Sequence, residues 1–356
     1  MDAKDLYQSL SADNKRQLQQ LAAEICEKYD RGDKAGQYKG RVVLFLGAAV
    51  NYHLSRPGFE GIYGKDDRPP LGNELNNYFI DALFAADTTT ERSDYMKQER
   101  LPLSWVSQYY QETFSREAMV DKLAHAIDNK RTSPILNALA EMPFKYIVST
   151  NYDHLFETAL DRAIANGYKK GYKKGVYKPN RGDASEYTED FGPDISAEMP
   201  FLYKLHGDIR DPFNEDGDYL PEKDAIVLTD EDYLHFILRM SQVSSNMERG
   251  LTDQRLDLYP IPQSINNAFS GLNRNTFLFV GYSLRDYNLR LIFKTALWKK
   301  NVDIFRALQK WSIDMKPDEV IKNIYIRDYK FSFIEDDIWS TVPYLYKEMF
   351  GKEMPL

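Results

Sequence analysis

The sequence predicts an α/β fold: a Rossmann-like, doubly wound and mostly parallel sheet with a smaller helical insertion domain. Four apolar runs each end in small or polar residues, which is typical of buried strands that present functional groups at their carboxyl ends. Segments with helical spacing alternate with these runs, and this alternation favours parallel strands. The runs are Val42–Val50, Tyr146–Asp153, Leu202–Gly207 and Thr276–Ser283. Because ligands bind outside the carboxyl ends of such strands, we expect one site at the four ends.

The elements follow from the spacing of apolar residues and from capping signals. A helix is expected from Ser11 to about Asp30, with Ser11 as N-cap, and it serves either core packing or oligomerisation. The stretch after Gly47 is too long for a tight turn, and we expect it to fold over a ligand. Other helices are expected at Gly72–Phe84, Trp105–Tyr110, Ala118–Ile127, Ile135–Leu139, His154–Ala165, Glu231–Ser241, Arg285–Trp298 and Ile338–Phe350. Other strands are expected at Ala225–Leu228 and Asn323–Ile326.

The domain organisation follows from where strands are missing. Residues 1–40 form the N-terminal helix and its connection, and residues 87–142 hold helical spacing without a convincing strand. We therefore expect a helical insertion domain at 87–142. Residues 41–86 and 143–356 then form the sheet domain that carries the site.

Composition excludes several classes of site. The 356 residues carry a net charge of −8, so the surface as a whole repels nucleic acid and anionic membranes. The single Cys26 excludes intramolecular disulfides and a cysteine-based zinc site, and the five histidines lack the spacing of a metal site. With no apolar stretch of membrane-spanning length, we expect a cytoplasmic protein without a metal.

Two of the strand ends are rich in small residues. Gly47, Ala48, Ala49 and Asn51 follow the first run, where small side chains let backbone N–H groups approach a phosphate, although close packing explains the pattern equally well. The fourth run ends in a similar way. There we expect Gly281 and Ser283 to contact the ligand, and Asp286 to contact it or to cap the next helix.

The other two ends carry side chains suited to catalysis. After the second run, Thr150, Asn151 and Asp153 stand at a strand exit, where Asn151 and Asp153 face the same way. Asp153 alone fits a helix N-cap equally well. His206 follows the third run directly before Gly207, a position that favours a general base over a structural histidine.

A tandem Gly-Tyr-Lys-Lys repeat at 167–174 is the one internal repeat. Interleaved Lys and Tyr between Lys169 and Arg181 could bind a phosphate backbone and stack on bases. A solvated loop or hairpin is the favoured interpretation of the same pattern.

Together the motifs resemble those of sirtuin-like proteins, and most closely their bacterial anti-phage branch, whose members hydrolyse NAD. The resemblance spans roughly Val42 to Tyr346 and rests on four motifs in order. They are Gly47-Ala48-Ala49-Val50, Thr150-Asn151-Tyr152-Asp153, Lys204-Leu205-His206-Gly207 and Gly281-Tyr282-Ser283-Leu284-Arg285-Asp286. The first motif departs from the family's pattern at Ala49 and Asn51, where Gly and Ser are usual.

The resemblance implies the roles of the site residues. Asn151 and His206 correspond to the family's catalytic pair, with Asp153 beside them, and the first and fourth motifs correspond to the NAD-binding segments. Deacetylase members carry a zinc module of four cysteines, which a chain with only Cys26 cannot build. The expected activity is therefore cleavage of NAD to nicotinamide and ADP-ribose, with NAD as substrate and no zinc.

Alternatives from other functional classes stay open at this point. One is a regulatory subunit that binds NAD or ADP-ribose without turnover, and another is a nucleic-acid-acting subunit that uses the Lys169 to Arg181 segment. By resemblance, a homo-oligomer and a protein partner such as a HerA-type ATPase or a short Argonaute are expected.

Overall fold

The computed structural model describes residues 3–85, 101–177, 195–238, 275–282 and 308–356, with the single positions 94, 96, 97, 99, 262, 265, 268 and 284. Seven parallel strands form one sheet in the order β3-β4-β2-β1-β5-β6-β7. The strands are β1 Val42–Leu46, β2 Tyr146–Ser149, β3 Lys173–Val176, β4 Phe201–Lys204, β5 Thr276–Val280, β6 Lys310–Ile313 and β7 Phe331–Ile334. This arrangement confirms the predicted α/β class with a doubly wound sheet.

Helices pack on both faces of the sheet, and further helices cluster with one another. They are α1 Ala12–Ile25, α2 Gly72–Leu83, α3 Leu103–Thr113, α4 Arg116–Ile127, α5 Pro134–Glu141, α6 Leu155–Ala165, α7 Glu319–Tyr329 and α8 Ile338–Phe350. Residues 230–238 are also helical. None of the helices in the described ranges is long and apolar enough to cross a membrane.

Side chains of the central strand alternate between two cores. Val42, Leu44 and Leu46 pack with residues of α1, α5, α6 and α8 on one face, while Val43 and Phe45 pack on the other face. Burial on both faces explains why β1 reads as a continuous apolar run.

A third apolar cluster lies among the helices between β1 and β2. It joins Phe79 of α2, Val106 of α3 and Val120 of α4 to Ile226 and Leu228, which follow β4. In contrast, α5 packs against α6 and α8 in the main core. The division of the chain into domains remains a prediction.

Several predicted elements match the structure closely. The hydroxyl of Ser11 accepts a hydrogen bond from Asn14 N at 3.0 Å and caps α1, as expected. Helix α8 has the predicted bounds of Ile338 and Phe350. The expected helix at Arg285–Trp298 lies outside the described residues, as does the end of the one at Glu231–Ser241.

Two predicted strands are wrong. Asn323–Ile326 lies inside α7, whose first turn is capped by the Asp318 carboxylate. Ala225–Leu228 is buried but pairs with none of the strands in the described ranges; Val227 N donates a hydrogen bond to His206 O, two residues beyond β4. Strands β3, β6 and β7 were not predicted.

Candidate active site at the carboxyl ends of the strands

The central strand β1 lies between β2 and β5, so the chain leaves β1 on one side of the sheet and later returns on the other side. Such a reversal opens a crevice at the carboxyl ends of the two diverging strands. Gly47 follows β1 and Gly281 follows β5. The structure therefore brings the first and fourth predicted motifs together at the switch point of the sheet.

The two glycines lie against each other's loops. Gly281 has a φ of +64°, and a Cβ built on it would lie 2.5 Å from Ala49 C and 2.6 Å from Val50 Cα. A Cβ on Gly47 would lie 2.7 Å from the Cα of Tyr282, also closer than real side chains come. Both positions therefore require glycine, for left-handed backbone at one and close approach at both.

Hydrogen bonds join the same two loops. Gly47 N donates to Val280 O at 3.1 Å, and Ala49 N donates to Gly281 O at 3.0 Å. These two N–H groups are engaged within the chain. A phosphate at this turn would consequently have to be bound by other groups of the turn. The segment from Gly47 to Asn51 therefore offers fewer N–H donors to a phosphate than expected.

Two asparagines follow the neighbouring strands β1 and β2, and each buries an amide oxygen. Asn51 is 1% exposed, and its Oδ1 has no hydrogen-bond partner among the described residues; the same is true of Asn151 Oδ1. An unpaired buried acceptor costs free energy that a bound ligand can recover by donating to it. Ribose hydroxyls are donors of the right kind.

Thr150, between β2 and Asn151, faces β1. Its N–H and its hydroxyl both donate to Leu46 O, at 3.1 and 3.4 Å. The residue therefore ties the ends of β1 and β2 together. Its predicted contact with the cofactor has no further support from this geometry.

His206 lies two residues after β4, just as Asn151 lies two residues after β2. Ser149 of β2 is in register with Lys204 of β4, and each predicted catalytic residue follows its strand by two positions. The imidazole ring is 5% exposed and lies between the rings of Tyr152 and Tyr233, with centroids 6.4 and 5.7 Å away. Asn151 and His206 therefore follow two paired parallel strands at matching positions.

Asp153 lies one residue before His154, which is the N-cap of the helix that follows β2. The Asp153 Oδ1 accepts a hydrogen bond from Leu155 N, the first residue of that helix, at 3.0 Å, so Asp153 contacts the helix start without being its N-cap. Burial raises the pKa of the Asp153 carboxyl, while the nearby Lys204 lowers it. A role in holding local geometry fits this carboxyl better than one in proton transfer.

A buried cluster of charges, which was not predicted, lies beside these residues. Lys204 is 1% exposed, and its Nζ lies 3.4 Å from Glu157 Oε1 and 3.6 Å from Asp208 Oδ2. Lys174 of β3 lies 2.6 Å from the same Asp208 oxygen, and the other Asp208 oxygen contacts His154 Nε2. A lysine in an otherwise apolar strand was the signal that could have revealed the cluster.

The cluster fixes the protonation of its members. Burial lowers the pKa of His154 to about 4, so its imidazole is neutral at neutral pH. Burial alone would raise the pKa of Asp208, but Lys204, His154 and Lys174 hold it below its ordinary value. Ligand atoms of His154, Glu157 and Asp208 lie within 4.8 Å of one another. The two ammonium groups, however, already stand against these carboxylates, where a metal cation would have to bind.

The long segment after Asn51 is fastened at both of its ends. Trp339 of α8 donates to Tyr52 O at 2.9 Å. Arg68, which is 3% exposed, donates to both oxygens of Glu74 at 2.6 and 2.8 Å and to His53 Nδ1 at 3.3 Å. The segment is thus attached to α2 and α8.

The Lys/Tyr repeat is part of the fold. Lys169 is 5% exposed and donates to Met142 O and Ala197 O, both at 2.6 Å, while Lys170 pairs with Glu198. Lys173 and Lys174 belong to the edge strand β3, not to the solvated loop or hairpin that was favoured. The described part of the repeat therefore offers few cations for a phosphate backbone; residues 178–181 lie outside the described ranges.

Ser283 and Asp286 of the fourth motif also lie outside the described residues. A cavity of about 270 Å³ lies elsewhere, between α5, α6 and the last residues, and is lined in part by Arg131, Glu141 and Arg162. It includes none of the predicted site residues.

Comparison with known proteins agrees with the motifs. The sequence model of the SIR2-like domain matches residues 145–334, more than half of the chain. Defense-associated sirtuin 2 of Bacillus subtilis is 26% identical over 164 residues, which are 46% of this chain and 12% of that protein. The similarity thus covers a small part of that relative's length. These findings confirm the predicted resemblance, and the chain belongs to the SIR2-like family.

Proposed function

We propose that this protein cleaves NAD to nicotinamide and ADP-ribose and acts as an NAD-depleting effector in bacterial anti-phage defence. The observation that supports the proposal is that Asn151 and His206 each follow, by two positions, one of two neighbouring strands paired in register, next to the glycine-lined switch point. Membership of the SIR2-like family supports NAD as the substrate. The name of the B. subtilis relative supports the defence role.

To catalyse this reaction, the protein has to position NAD and water and to supply a base. The bond between nicotinamide and ribose breaks, its electron pair stays on the pyridinium nitrogen, and neutral nicotinamide leaves. Water adds to the ribose carbon and gives up a proton. Because the ribose becomes oxocarbenium-like, positioned dipoles stabilise it, and no strong nucleophile is needed.

We assign roles from the positions of the side chains. Asn151, through its buried Oδ1, orients a ribose hydroxyl or the attacking water, and His206 accepts the proton. Asp153 holds the turn after Asn151 by accepting a hydrogen bond from Leu155 N at the start of α6. Asn51 and the Gly47–Gly281 junction bind the rest of NAD, with Ala48, Thr150, Ser283 and Asp286 as further predicted contacts.

The test is separation of products after incubation of the purified protein, in its native assembly, with NAD. We expect nicotinamide and ADP-ribose in equal amounts, linear or cyclised, and no turnover by the variants Asn151→Ala and His206→Ala. Asn77→Ala and His125→Ala are matched controls, because both residues are exposed on helices. Tight NAD binding without product would favour the regulatory alternative and contradict the proposal.

The resemblance further supports a homo-oligomer that works with a protein partner, such as a HerA-type ATPase or a short Argonaute. Mass measurement of the purified protein and of complexes isolated from its native cell tests both points. A monomer that copurifies with no other protein would contradict them.

A further inference from the structure

We propose that Lys204 is a positioning residue of the NAD-cleaving site, whose ammonium group holds the turn that carries Asn151. The inference rests on the proposed function and adds a residue to it. Lys204 is the last residue of β4 and precedes His206 by two positions. The Lys204 side chain therefore links the strand of one predicted catalytic residue to the turn of the other.

The contacts of Lys204 are directed at that turn. Its Nζ donates to Tyr152 O at 3.3 Å and, more closely, to Asp153 O. These are the first and second carbonyl groups after Asn151. Because a side-chain amide moves with its backbone, donors on the two following carbonyls restrict where Asn151 can place its Oδ1.

A purely electrostatic role would not require these contacts. Lys204 and Lys174 approach the same two carboxylates, those of Asp208 and Glu157. Lys174 thus already supplies a cation to the cluster. Of the two lysines, only Lys204 donates to the carbonyls of the Asn151 turn; Ile209 N also donates to Tyr152 O, at 3.2 Å.

Burial makes the arrangement specific. Lys204 is 1% exposed, and an ammonium group is costly to bury unless each N–H finds an acceptor. Two carbonyls and two carboxylates supply those acceptors in one geometry. A shift of about 1 Å in a catalytic group can cost about 100-fold in rate, so release of this turn should be visible in turnover.

The pair Lys204→Met and Lys174→Met separates the two roles, because each variant removes one cation from the same cluster. We expect Lys204→Met to lower kcat for NAD cleavage at least about 50-fold, with KM and the Kd for ADP-ribose within about 3-fold of wild type. Lys174→Met should keep kcat within about 5-fold of wild type. Equal losses of kcat in the two variants, or wild-type kcat in Lys204→Met, would overturn the inference.

A second pair guards against loss of folding. Combining Lys204→Met with Glu157→Gln removes one charge of each sign, and Lys174→Met with Glu157→Gln is its control. Near-UV circular dichroism and thermal unfolding establish that both are folded. We expect a low kcat only in the double variant that carries Lys204→Met. Similar kcat values in the two double variants would contradict the proposal.

Failure of the proposed function is recognised separately. If wild type releases no nicotinamide, that proposal fails, and hydrogen exchange at the amides of residues 151–155 then decides the role of Lys204. We expect faster exchange there in Lys204→Met than in Lys174→Met. Equal exchange in the two variants would overturn the positioning role whatever the activity.

Discussion

Gly281 packs against the turn that follows Gly47, and neither residue has room for a side chain. The contact closes the switch point between β1 and β5. We expect Gly281→Ala to destabilise the protein by about 3 kcal/mol or more, because left-handed backbone costs about 1–2 kcal/mol and overpacking about 1–3 kcal/mol. Urea unfolding measures the change.

Gly58→Ala is the matched control for this substitution. Gly58 has a φ of +85°, but a Cβ there would meet nothing within 4 Å. Only the backbone term applies, so a loss of about 1–2 kcal/mol is expected. If both variants lose the same stability, close packing at the switch point is not the cause.

Arg116 connects the helices between β1 and β2 to the segment beside His206. It donates to Asp224 Oδ2 at 2.6 Å, to Asp232 Oδ2 at 2.8 Å and to Ile226 O at 2.6 Å. The Asp224 side chain is only 6% exposed. Arg116→Met should therefore cost about 3–5 kcal/mol, because it leaves a buried carboxylate without its cation.

The same variant should also lower NAD cleavage, because Val227 in that segment contacts His206 O and accepts a hydrogen bond from Tyr152. Arg327→Met is the control. Arg327 is paired with Asp328 on the surface, where an ion pair contributes little to stability. If the unfolding curves of Arg116→Met match those of Arg327→Met, Arg116 does not stabilise the segment beside His206.

Glu74 should contribute stability that acid removes. Its hydrogen bonds with Arg68 lower its pKa from 4.5 to about 2. Since the folded-state pKa is depressed, the contribution is complete above about pH 4.5 and is lost as pH falls toward 2. Glu74→Gln should flatten the stability profile in this window by about 1–2 kcal/mol, after allowing for a side chain that is 34% exposed.

Lys65→Met is the comparison for Glu74. Lys65 lies 3.5 Å from Glu74 but is 68% exposed. We expect its removal to leave the acid profile nearly unchanged. An equal effect of the two substitutions would show that the buried Arg68 is not the dominant partner.

Lys169 should make stability rise with pH. Burial lowers its pKa from 10.5 to about 7, so between these values the unfolded chain binds the proton and the folded chain releases it. Stability should rise there by about 1.4 kcal/mol per pH unit from this residue. Lys169→Met should remove that slope.

Lys170→Met provides the control for Lys169, because its side chain is 76% exposed. Salt-dependent DNA binding measured on both variants also tests the nucleic-acid alternative. We expect no loss of affinity from Lys169→Met, since the Lys169 Nζ is buried and donates to two carbonyls. A loss confined to this variant would restore that alternative.

Local signals predicted much of the fold. The Ser11 cap and the apolar stripe of α8 each depend on residues close together in the sequence, and the structure matches both predictions. Asn323–Ile326 was misassigned because a short apolar run fits a helix as well as a strand, and the capping Asp318 was the signal that distinguishes them.

The strand ends of the candidate site were also predictable, but the partners of their residues were not. Lys174 and Lys204 share the carboxylates of Asp208 and Glu157 because β3 lies at the edge of the sheet beside β4, in the order β3-β4-β2. No local pattern encodes that order. The lysines of β3 were predicted to be solvated because their acidic partners come from other elements, which the local sequence does not show.

The central place of β1 also governs how the protein can fold. Its two neighbours, β2 and β5, are synthesised much later, and parallel pairing between distant segments is slow because loop closure must precede the contact. The crevice at the switch point is incomplete until β5 has joined the sheet. A nascent chain that stops short of β5 can therefore assemble neither the glycine junction nor the complete candidate site, so we expect the proposed activity only after most of the polypeptide has been made.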